Sequence, residues 1–82
     1  MTRDEALATL ERIADRRLDL FADETRWGLL ADLFEEEARV WHAVLVDADA
    51  LMAWAASSAE IAAVEQARFW RAQSEQVAAG AP

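Results

Sequence analysis

Apolar residues in the first segment fall at Leu7, Leu10, Ile13, Ala14, Leu18 and Phe21, the spacing of one face of an α-helix. Thr2 and Glu5, three residues apart, form a capping-box signature that starts this helix, and Phe21 is near its end. Arg17 lies within the apolar stripe. Asp23 is the natural cap of a second helix whose face is Trp27, Leu30, Leu33, Phe34, Trp41, Val44 and Leu45. Gly28, early in that helix, costs on the order of 1 kcal/mol relative to alanine, a cost that tight packing would offset. Ser57 and Glu60 make a second capping-box signature, which predicts a third helix carrying Ile61, Val64, Phe69, Trp70 and Val77 before "AAGAP" frays.

The stretch "VDADALMAW", Val46 to Trp54, admits two readings. A second helix running through it would reach roughly 30 residues and about 48 Å, more than neighbours of about 20 residues cover within one monomer. A break near Asp47 to Asp49 lets Leu51 and Trp54 share a new face, and is the favoured reading. The third helix is apolar on several sides, as a helix between neighbours is, and the extra neighbour would come from another molecule. With alanine supplying about a quarter of the chain and no segment reading as a strand, the predicted fold is all-α. It is a small antiparallel bundle of three principal helices, the second bent or broken near Asp47–Asp49, forming a single domain over residues 1–82.

Composition narrows the setting. At 82 residues the core is marginal, and without cysteine, and with one histidine, neither disulfides nor a structural zinc site supports it. Tight helix packing or self-association remains, with a dimer the favoured form of the latter. No stretch matches a membrane span or a signal peptide, so a cytoplasmic protein without membrane contact is expected. A net charge of −8 opposes direct nucleic-acid binding. The basic residues are all arginine, which coding bias explains most simply.

Little in the chain reads as catalytic, and neither cofactor nor metal is expected. His42 shares a helix side with Glu35 and Asp49, each seven residues away, but about 10 Å along the axis is too far for two ligands of one ion. The serine and threonine hydroxyls have no base or glycine-rich turn beside them. A non-enzymatic protein is therefore expected.

The segment "FEEEARVW" places Glu37 near the middle of the second apolar stripe, where a carboxylate is paired, protonated or facing a partner. A hairpin centred on Ala22 and Asp23 leaves Arg17 offset from Glu37 by roughly 12 Å, so Arg68 or Arg71 is the better partner on paper. Glu35 and Glu36 point towards water. Trp27 and Trp41 are in phase with the core, whereas Trp54, Phe69 and Trp70 occur where amphipathicity is poorest, as hot-spot residues of a partner surface would. The leading expectation is a non-catalytic helical protein–protein interaction module, an assembly subunit, adaptor or small inhibitor, acting on a protein partner through Trp54, Phe69, Trp70 and Glu37. The alternative is an acidic inhibitor of a nucleic-acid-binding protein or host-defence nuclease, with Asp32, Glu35, Glu36, Asp47 and Asp49 imitating phosphates. Arginines interleaved with acids along the first helix dilute such a surface.

Overall fold

A computed structural model describes residues 1–80. Three α-helices account for most of them: α1 (Arg3–Phe21), α2 (Trp27–Val46) and α3 (Ala50–Ala78), with a 3-10 turn, Glu24–Arg26, leading into α2. Successive helices run antiparallel, giving the expected all-α bundle. The fraying expected of "AAGAP" falls in part on Ala81 and Pro82, which lie outside the described residues.

Local chemistry sets the helix ends. Thr2 and Glu5 form the capping box, the Glu5 amide donating to Thr2 Oγ1 at 3.1 Å and the Thr2 amide to Glu5 Oε1 at 3.2 Å. Glu5 therefore holds its proton less tightly than an ordinary glutamate, first through its side-chain bond with Thr2 and then through the Thr2 amide. Asp23 caps the 3-10 turn rather than α2 itself, accepting from the Thr25 amide at 3.1 Å and the Thr25 hydroxyl at 2.6 Å. The Trp27 indole then donates to the Phe21 carbonyl at 3.0 Å, satisfying an acceptor that the end of α1 leaves without an intrahelical donor.

The chain breaks between α2 and α3 where the aspartates lie, and Asp49 caps α3 by accepting from the Met52 amide at 2.9 Å. The third helix thus begins before, not at, Ser57. Ser57 and Ser58 sit inside a helix of 29 residues, because no glycine or proline after Ala50 interrupts propagation once Asp49 has started it. The long helix is α3, not α2.

Packing rests on small side chains more than on the large ones that mark the periodicity. Ala56, Ala63 and Ala67 are buried on α3, and Ala31 and Ala38 on α2, letting the two backbones approach closely. Gly28 belongs to this seam: a Cβ there would stand 3.2 Å from Ser74 Oγ, so the glycine has the packing reason its helix cost demanded. On α1 the buried line is Ala6, Ile13 and Leu20, rotated from the predicted stripe, and Leu7, Leu18 and Phe21 are exposed. The reason is that the α1 backbone packs on α2 and meets α3 only through side chains at its carboxyl end, such as Phe21 against Trp70. The α1 and α3 backbones nowhere come within 8 Å of each other, Cα to Cα. A helix with one neighbour buries only a narrow strip.

Two apolar clusters form along α2. Leu20, Leu30, Phe34 and Ala67 make one, backed by Trp27 and Trp70; Ala6, Ile13 and Val40 make the other, backed by Leu10 and Val44. Leu33 touches both. Trp41, expected in the core, is half-buried.

Candidate interaction surface

The three consecutive glutamates of α2 reach arginines on both flanking helices. Glu35 lies 2.7 Å from Arg71 on α3, Glu36 pairs with Arg12 on α1, and Glu37 lies 3.0 Å from Arg17 on α1. The direct Arg17–Glu37 pair corrects the register read from sequence. Including Glu24–Arg26 in the connection moves the hairpin centre from Ala22–Asp23 to near Thr25, and each residue of that shift moves the facing position by two. Arg17 consequently stands over Phe34, its guanidinium carbon 4.9 Å from the ring centroid, with Glu37 one turn further along. Arg71, proposed on paper as a partner of Glu37, instead binds Asp32 at 2.8 Å together with Glu35. These two bonds, that to Asp32 the larger, hold the Arg71 proton more tightly than usual.

The acidic segment is therefore laced to arginine rather than left open. Asp32, Glu35 and Glu36 each contact a guanidinium, and Asp49 is a helix cap. Asp47 is exposed in the connection after α2. His42 is exposed, with Nδ1 3.1 Å from Glu60 Oε1 across the α2–α3 seam. Among the described residues there is no group of three or more side chains placed to hold a metal ion.

The sequence-predicted aromatic residues separate onto two surfaces. Trp70 is half-buried, its ring 5.4 Å from Phe21, 5.1 Å from Trp27 and 5.0 Å from Phe69, so it closes one end of the bundle. Here side chains of α1 and α3 meet, although their backbones do not. An open groove of about 270 Å³ runs beside this contact, lined by Leu18, Phe34, Gln66 and Trp70 among others. Trp54 and Phe69 instead face outwards.

On α3 the usual distribution is inverted. Ala56, Ala63 and Ala67 face α2, while about 180° around the helix Leu51, Trp54, Ile61 and Phe69 are 79%, 72%, 60% and 52% exposed. Ser58, Ala62, Glu65 and Ala72 complete this outer face, with Glu65 near its centre and the exposed Arg68 at its edge beside Ile61. The amino-terminal end also extends past its neighbour. His42 faces Glu60 and Gly28 faces Ser74, a register that carries the start of α3 about six residues, or roughly 9 Å, beyond Val46. Leu51 and Ile61 were not singled out from sequence as surface residues. Their phase with Phe69 emerges only when the helix is started at Asp49, since Leu51 and Phe69 are then five whole turns apart.

No protein family model, curated protein or solved structure matches this chain. Among the described residues, no helix is long and apolar enough to cross a membrane.

Proposed function

We propose that this protein is a non-catalytic helical interaction module whose contact surface is the outer face of α3, centred on Leu51, Trp54, Ile61 and Phe69. The observation that carries this reading is the inversion of α3: Ala56, Ala63 and Ala67 are covered, whereas Leu51, Trp54, Ile61 and Phe69 are not. Exposed apolar residues scattered singly are ordinary, but a contiguous helical stripe with one carboxylate and one arginine at its edge has the composition of an interface core. Trp70 supports the surface from beneath by packing against Phe69. Glu37 drops out of it, being held by Arg17 within the chain.

The alternative, phosphate mimicry by the acidic segment, has less support. A mimic presents unpaired carboxylates, whereas Asp32, Glu35 and Glu36 have arginine counterions of their own. A cysteine-free chain of this kind suits a reducing cytoplasm, where the partner would be met.

The test is affinity capture from the source cells with the wild-type chain and with Trp54→Asp, alongside circular dichroism of both. The reading requires that Trp54→Asp keep its helix content and lose captured protein, whether a different protein or additional copies of the chain. Identical capture by both forms would remove the α3 face from consideration.

A further inference from the structure

We infer that a second copy of this chain covers the outer face of α3, the two α3 helices packing antiparallel about a twofold axis at the Ile61–Ala62 step. The inference rests on the interaction-surface reading above and names its occupant. An isologous interface must be self-complementary, residue i meeting j while j meets i. Along the middle of that face Leu51, Trp54, Ser58, Ile61, Ala62, Glu65, Phe69 and Ala72 recur at intervals of 3, 4, 3, 1, 3, 4 and 3, the symmetric spacing of a single helical stripe, which lets it meet its own copy in the antiparallel sense. Antiparallel pairing about its midpoint sets Leu51 against Ala72, Trp54 against Phe69, Ser58 against Glu65 and Ile61 against Ala62.

The chemistry of those pairs agrees with the spacing. At each end a large aliphatic side chain meets alanine, so two helices can close without overpacking. Trp54 and Phe69 give an aromatic pair on either side of the axis. Ser58 then offers a hydroxyl donor to the Glu65 carboxylate of the other copy, satisfying the one carboxylate on the face. The two Glu65 carboxylates are kept roughly 10 Å apart along the axis.

Charge favours a second copy over a basic partner. A chain of net charge −8 can associate with itself only where its acids are absent, and this face carries one acid while α2 carries a run of them. A basic peptide would find one carboxylate here, with Arg68 beside it. The chain exposes 5584 Å², against roughly 4,900 Å² for a compact monomer of its mass. That surplus belongs to an elongated body, 47 × 20 × 14 Å, in which one side of α3 is left without a neighbour.

Sedimentation equilibrium of the full chain tests both the occupant and the register. The wild type should be dimeric at about 100 µM, and Ile61→Asp should raise its dissociation constant at least about tenfold with unchanged helix content. Ser58 provides a test with two signs. Ser58→Glu, placed against Glu65 of the other copy, should weaken the dimer, Ser58→Arg should tighten it, and Glu65→Arg should restore association to Ser58→Glu. A monomeric wild type at that concentration overturns the inference, while the capture experiment can still support a different occupant of the same face. A dimer whose affinity moves in the same direction with Ser58→Glu and Ser58→Arg overturns the proposed pairing.

Discussion

Arg17 Nη1 lies 3.0 Å from Glu37 Oε1, and the same guanidinium covers the Phe34 ring. The Glu37 side chain is 16% exposed, so the pair is shielded more than the other ion pairs of α2, though not fully dry. Removing one partner leaves the other desolvated without a counterion, which costs more than the net worth of the pair.

Glu37→Gln should therefore destabilise the fold by about 1 to 2 kcal/mol in urea unfolding near neutral pH. Glu36→Gln should cost no more than about 0.5 kcal/mol, because its arginine is largely in water. Glu35→Gln should be similarly mild, since Arg71 retains Asp32. Equal losses for all three variants would mean that Arg17 and Glu37 are solvated like the others.

The seam between α2 and α3 gives a conditional effect. Gly28→Ala gains helix propensity of about 1 kcal/mol but sets a methyl against Ser74 Oγ, so alone it should stabilise by less than that. With Ser74→Ala the obstructing oxygen is gone, and the double variant should be more stable than the sum of the single changes. Strict additivity in urea unfolding would show that the helices already have room there.

Inner and outer faces of α3 should respond in opposite ways to volume. Ala63→Leu overfills a covered site and should cost about 1 to 3 kcal/mol of folding stability. Ile61→Ala removes volume from an exposed site and should change unfolding of the isolated monomer by less than about 0.5 kcal/mol. Denaturation at a concentration low enough to exclude association separates the two. A larger loss for Ile61→Ala than for Ala63→Leu would reverse the assignment of faces.

How far these features could be read in the sequence depended on whether a side chain acts locally. The capping box at Thr2 and the break at Asp47–Asp49 were legible because both are decided within a few residues. The Arg17–Glu37 pair was not, because its register depends on how three residues of 3-10 turn are accommodated. Nor was the buried face of α3. Apolar periodicity is read from large residues, and in an alanine-rich chain the close approach of two helices selects Ala56, Ala63 and Ala67 for the inside. Large size marked the exposed side instead.

Acid should loosen the connection between α1 and α2. Bonds from the Thr25 hydroxyl, and secondarily its amide, hold the Asp23 carboxyl below its ordinary value. A depressed folded-state pKa contributes stability above the unfolded pKa, near 4, and that contribution disappears as pH falls through the folded value. Thr25→Val removes the larger of the two bonds and should move the Asp23 carboxyl midpoint upwards in a carbon-detected NMR titration. An unchanged midpoint would dissociate the shift from the hydroxyl.

Because the α1 backbone rests on α2 and reaches α3 only through side chains at its carboxyl end, the chain can open in steps. Releasing α1 uncovers Ala6, Ile13 and Leu20 but leaves the alanine seam between α2 and α3 intact, so the helical hairpin can outlive the detachment of its first helix. Native-state hydrogen exchange should then divide the amides into two groups, those of α1 exchanging through a cheaper opening than those facing the seam. The same opening would strip the counterions from Glu36 and Glu37. For a short interval, α2 would present the uncompensated acidic surface that the closed form keeps covered.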